Sequence, residues 1–295
     1  MKYSFIWVDA FTDQKFGGNP CAVFLSADAL SDRQMLALAK ETNLSETAFI
    51  VKSKSADFGA RYFTPSEEIP LAGHPTIATI RSLIEARKIT MDRPHKSISL
   101  ELKAGIVAID IFREGEDAFN IVMSQKKPEF LLTHDRKIVA DLFGINESDL
   151  LPDCPVQTVS TGTPQLMVPV RTHDALQRAR MNVSQYKAYK TTSDFFSPHL
   201  FCVRGITNNG TTFARHFGVP SDTTEDSFTG SATGGMAAYL WHYGLIEKSN
   251  FVAEQGHWMG RPGKATVEVV GRPENIETVK VGGKSVIVAK GEFDV

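Results

Sequence analysis

The chain has 295 residues, 42% of them apolar, and a formal net charge of −2. That length accommodates one large or two medium domains with proper cores, and a near-neutral charge without long runs of one sign argues against a polyanion-binding surface or a nucleic acid partner. Cys21, Cys154 and Cys202 are odd in number and far apart, which fits reduced, buried thiols in a cytoplasmic protein.

Met1 to Ala10 holds a short apolar run broken by Asp9, and it reads as a first strand and not as a signal peptide. Nothing along the chain approaches the ~18 apolar residues that a membrane span requires. After the turn-rich Gly17-Gly18-Asn19-Pro20, Cys21 to Leu25 reads as a second strand. Ser31 to Gln34 matches a capping box, and Met35, Leu36, Leu38 and Ala39 supply the apolar stripe of a helix ending near Asn43. Ser45-Glu46-Thr47-Ala48-Phe49 then enters another strand.

Pro75 to Ala86 reads as a buried helix with proline at its first position, and Ala232 to Tyr243 as its counterpart. Asp135 to Gly144 is a further amphipathic helix. The tail, Ile276 to Val281 and Ser285 to Lys290, alternates around Gly282-Gly283 and gives a hairpin signal. Whether the last strand, about 285–295, joins the second sheet or returns to the first is open.

Two stretches look like copies. Arg61-Tyr-Phe with Gly73-His74-Pro75-Thr76 is echoed by Arg215-His-Phe with Gly230-Ser231-Ala232-Thr233, at offsets of 154 and 157. Gly105, Val107, Ile109 and Ile111 are likewise echoed by Gly263, Ala265, Val267 and Val269. A period this long indicates duplication of a domain, not a solenoid array. The boundary is placed near Lys126, giving an N-terminal lobe over 1–126 and a C-terminal lobe over 127–284. Each copy is a strand, a turn and an apolar helix whose glycine-led start presents unpaired N–H groups, a natural seat for an anion. Two such seats suggest a ligand held between two domains.

Gly283-Lys284-Ser285 fails as a phosphate loop because Thr278 stands where the first glycine is required. There is no G-x-G-x-x-G, G-x-S-x-G, H-E-x-x-H or C-x-x-C, so nucleotide, nucleophilic and zinc chemistry are disfavoured and no metal is expected. Acid–base chemistry remains, with Glu46, His74 and Asp226 beside the repeated motifs. Each also has a plain structural reading: Glu46 as a strand-entry carboxylate, His74 as a cap, Asp226 as a loop acid and Ser231 as an N-cap.

Asp9-Ala-Phe with Gly18-Asn19-Pro20, Ser45 to Phe49, Arg61 to Pro65, Gly73 to Thr76, Glu225-Asp226 with Thr229 to Ala232, and Gln255-Gly256 with Met259 to Pro262 occur in order over nearly the whole chain. Together they resemble the PhzF-like phenazine-biosynthesis family. The resemblance implies an α+β, diaminopimelate-epimerase-like fold: two pseudo-symmetric domains, each a curled, mostly antiparallel sheet around a central helix. It also implies a homodimer, no cofactor, and isomerisation of a small carboxylated substrate like trans-2,3-dihydro-3-hydroxyanthranilate.

On that resemblance Glu46 moves the proton, His74 and Asp226 hold polar groups of the substrate and help move protons, and Ser45, Gly73, Gly230 and Ser231 bind it. Cofactor-free epimerisation by two cysteines is excluded, because no cysteine lies in either helix-start motif. The alternative class is a non-catalytic protein-binding or ligand-sensing module on the same scaffold. Ser227 and Phe228 replace a Pro-Ala pair common in the family, which predicts a looser Asp226 loop and a bulky group beside the substrate.

Overall fold

A computed structural model describes residues 1–218 and 225–295. The chain divides into two compact units, one of Met1–Ser124, Trp258–Ala265 and Val281–Val295, the other of Gln125–His257 and Thr266–Lys280.

The first unit contains β1 (Lys2–Ala10), β2 (Asn19–Phe24), α1 (Asp32–Thr42), β3 (Thr47–Val51), β4 (Phe58–Phe63), β5 (Glu68–Ile69), α2 (Gly73–Glu85), β6 (His95–Leu102), β7 (Gly105–Arg113) and β8 (Phe119–Ser124). The capping box at Ser31 forms in both directions, and α1 stops where Asn43 turns left-handed at φ 51°. β2–β3 and β4–β6 pair in parallel, and β1–β2, β3–β4, β4–β5, β6–β7 and β7–β8 pair antiparallel. A parallel pair needs a crossover, and α1 and α2 provide the two.

In the second unit come β9 (Glu129–His134), α3 (Arg136–Leu142), β10 (Val156–Ser160), β11 (Pro164–Pro169), α4 (His173–Arg178), α5 (Val183–Lys190), β12 (Ser197–Cys202), β13 (Thr212–His216), α6 (Gly230–His242) and β14 (Asn250–Gln255). β15 (Gly263–Arg272) and β16 (Asn275–Gly283) contribute residues to both units, and β17 (Ser285–Asp294) lies in the first. The second unit repeats the pattern of the first: β10–β11 and β12–β13 are antiparallel, β11–β12 and β13–β14 parallel. The same alternation of pairings, with a helix closing the equivalent crossover, is the duplication seen at the level of topology.

Both central helices are sequestered. In α2 every residue from Gly73 to Leu83 is buried, and α2 packs on β1, β2, β3, β8 and β17. In α6 burial runs from Ala232 to Leu240, and the helix packs on β10 and β11. Helices apolar on all sides are stable only when surrounded, so the sheets must curl about them. Among the described residues, no helix is long and apolar enough to cross a membrane.

Three local expectations are corrected. α2 begins at Gly73, so Pro75 is its third residue, where the absent N–H is still one of the unpaired first four. α6 begins at Gly230 with Thr229 as N-cap residue, which places Ser231 second in the helix and not at its cap. The Gly282-Gly283 hairpin does not form as expected, because Lys284 alone separates β16 from β17 and a hairpin needs a loop of about two residues. β17 instead pairs antiparallel with β1, from Ala10 opposite Ser285 to Lys2 opposite Asp294.

Candidate active site

In the first unit the parallel pairing of β3 beside β2 puts Thr47 opposite Ala22. Glu46, the residue before β3, therefore emerges next to the start of β2, and α2 packs across both strands. His74, second in α2, is 3% exposed, and its Nε2 lies 3.3 Å from Oε2 of Glu46, whose side chain is 20% exposed. On the other side of the ring, Nδ1 is 3.0 Å from Nδ2 of Asn19. Asn19 in turn accepts a hydrogen bond from the Ser45 hydroxyl at 3.3 Å. Ser45, Glu46, Gly73 and His74 are thus brought together, with Asn19 as the link between them.

Burial alone pushes the His74 imidazole down to about 3, so the ring is neutral at physiological pH. Neighbouring Cys21 is buried, and its thiol is pushed far up by burial and by the Glu46 carboxylate. Cys202 is pushed up to about 12 by burial, which makes it an inert thiol. None of the three cysteines, all free and buried, resembles an activated nucleophile.

In the second unit Asp226, Gly230 and Ser231 lie within one turn and helix start. The Asp226 N–H donates to the His216 carbonyl at 2.8 Å, and Asp226 Oδ2 accepts from the Thr229 hydroxyl at 2.5 Å. Gln255 spans the turn: its Nε2 donates to the Asp226 carbonyl at 2.8 Å, and its Oε1 accepts from the Thr229 N–H at 3.2 Å. Those bonds tie the turn to the end of β14. Phe228 is fully buried and Ser227 is 5% exposed.

The repeated arginines build the same device twice. Arg61 forks onto Glu68 at 2.8 and 3.0 Å, and Arg215 onto Glu225 at 2.8 and 2.7 Å. Each guanidinium also lies over the phenylalanine two residues on, Phe63 at 5.2 Å and Phe217 at 4.7 Å. Each glutamate stands five residues before a central helix, so each fork ties a strand to the segment that delivers a helix start.

Beneath Asp226, the Ser197 hydroxyl donates to Gln165 and therefore accepts from His216 Nε2 at 2.9 Å. That leaves His216 Nδ1 as acceptor from His199 Nδ1 at 3.3 Å. Burial pushes His216 down to about 3 and His199 well below its ordinary value, to which the neighbouring His216 adds. Three histidines held neutral in the fold but able to protonate when unfolded bind fewer protons folded than unfolded. Their contribution is complete above about pH 6.5 and is lost progressively toward about pH 3. Urea midpoints should fall as pH drops from 6.5 to 5, and less steeply in His199→Gln; stability rising over that interval would contradict the neutral assignment.

The family model described as "Phenazine biosynthesis-like protein" matches residues 8–291. The chain belongs to that family. Within it, the chain is 36% identical to the uncharacterized isomerase YfhB of Bacillus subtilis over 88% of each chain. It is 30% identical to the trans-2,3-dihydro-3-hydroxyanthranilate isomerase of Pseudomonas fluorescens over 98% of each. The crystal structure of a PhzF-family phenazine biosynthesis protein from Bacillus anthracis superposes with a TM-score of 0.89 at 30% identity, covering 100% of both chains. The expected α+β epimerase-like class holds across this family, and the relatives' names agree with an expectation of the isomerase class.

Three contributors went unassigned from sequence. Asn19 and Gln255 stood inside quoted motifs without a role, and Thr229 was passed over for Ser231. The signal available for Asn19 was its place directly after two glycines that enter a buried strand.

Proposed function

We propose that the protein is a cofactor-independent isomerase that moves a proton within a small carboxylated, cyclic or unsaturated substrate, with Glu46 as the proton carrier. The observation that carries this reading is the 3.3 Å approach of a buried, neutral His74 to a partly exposed Glu46 carboxylate. A carboxylate so placed can meet a ligand on one side while an imidazole N–H supports its charge on the other.

The chemistry is redox-neutral. The substrate C–H bond breaks, its proton passes to a Glu46 carboxyl oxygen, and the electron pair spreads into the adjoining π-system. The same carboxyl then returns a proton to a different carbon. The start of α2, at Gly73, offers backbone N–H groups suited to a carboxylate beside Glu46. Holding the substrate in reactive geometry and stabilising the spreading charge supply the rest of the acceleration.

The name of the Pseudomonas fluorescens relative motivates the first substrate to try. The test is incubation of the protein with trans-2,3-dihydro-3-hydroxyanthranilate and a panel of unsaturated cyclic carboxylates in deuterium oxide. The expected result is deuterium at carbon without added cofactor; turnover that requires an added cofactor would overturn the reading.

A further inference from the structure

Asn19 is 1% exposed and begins β2, opposite Ala10 of β1. Its amide nitrogen can only donate hydrogen bonds. At 3.0 Å from His74 Nδ1, it requires that nitrogen to be the acceptor. A neutral imidazole with its lone pair at Nδ1 carries its hydrogen at Nε2, the atom 3.3 Å from Glu46 Oε2. The amide oxygen meanwhile accepts from the Ser45 hydroxyl at 3.3 Å.

Asn19 has little freedom to turn. Arg261 donates to the carbonyls of Gly17 at 2.8 Å and Gly18 at 2.9 Å, and its guanidinium is anchored on buried Asp9 at 2.6 Å. Asp9 also accepts from the Phe16 N–H at 2.7 Å, and the Gly18 N–H donates to Pro262 at 3.0 Å. Gly18 sits at φ +53°, and a Cβ there would press into the Ala10 carbonyl, so only glycine fits the turn that delivers Asn19. The Asp9, Gly18 and Arg261 motifs therefore converge on the placement of one amide.

We infer that Asn19 is a positioning residue that locks His74 as the Nε2–H tautomer, so that the ring turns its N–H and not its lone pair toward the Glu46 carboxylate. With the opposite tautomer, an imidazole lone pair would face the carboxylate and repel its charge. The consequence for turnover rests on the proposed function; the tautomer itself does not.

The decisive measurement is a long-range 1H–15N correlation spectrum of histidine-labelled, ligand-free protein, with His74 assigned by difference from His74→Gln. The expected pattern is a protonated Nε2 and an unprotonated Nδ1. Asn19→Asp keeps the shape but places only acceptors at Nδ1, and should move the hydrogen to Nδ1. In that variant deuterium exchange should fall by at least about 10-fold with KM little changed, as outer partners that orient a catalytic imidazole typically do. A wild-type spectrum showing Nδ1–H would overturn the inference whether or not any variant folds. So would a folded Asn19→Asp protein with its tautomer unmoved. Absence of exchange in a wild-type protein that shows Nε2–H would instead sink the proposed function and leave the lock standing.

Discussion

Replacing Glu46 by glutamine is expected to remove carbon–deuterium exchange by at least about 10²–10⁴-fold, the usual contribution of a positioned general base. The substitution preserves size and leaves an amide that can still meet His74 Nε2–H with its oxygen, so the first unit keeps its packing. Substrate affinity measured by calorimetry should change little, because the carboxylate acts on the C–H bond broken in the transition state and not on the groups that hold the ground state. The pairing of lost exchange with retained affinity distinguishes a proton carrier from a binding group. Exchange within a few-fold of wild type would take position 46 out of the chemistry.

A second large effect is expected on stability. Arg215 is 8% exposed; besides its fork on Glu225, it donates to the backbone carbonyls of Leu176 and Ala179 at 2.9 and 2.8 Å. Arg215→Met leaves the Glu225 carboxylate, 20% exposed, and two inward backbone carbonyls without the buried guanidinium at once, which at about 1–3 kcal/mol for each buried group left unsatisfied predicts a loss of about 3 kcal/mol. Arg61 provides an internal control with the same fork but a different setting. Its side chain is 27% exposed, and Lys103 at 3.2 Å can still neutralise Glu68. Arg61→Met should therefore cost about 1 kcal/mol, as solvent-screened pairs do. Equal losses in urea unfolding of the two variants would show that burial does not govern these forks.

The duplication was legible in the sequence because its markers were residues with few substitutes: an arginine that must fork, a glycine at each helix start, a β-strand opening on glycine at 105 and 263. Glu46 and His74 could be named from the motifs, since both stand next to those markers. What could not be read was the registration of long-range partners. Asn19 and His74 lie 55 positions apart, and only the parallel pairing of β2 with β3 and the packing of α2 bring them into reach. Cap positions erred for a local reason. Thr229 and Ser231 both carry hydroxyls, and the bonds of Thr229 to Gln255 and Asp226 favour a start two residues earlier than propensity alone suggests.

The pairing of β17 with β1 bears on biosynthesis. During synthesis β1 precedes its antiparallel neighbour at 285–294 by every segment of the second unit. The first unit must wait with an unpaired strand edge until those residues are made, and slow, long-range closure of this kind exposes a nascent chain to aggregation. Chaperone demand should accordingly fall on the half that begins first and finishes last.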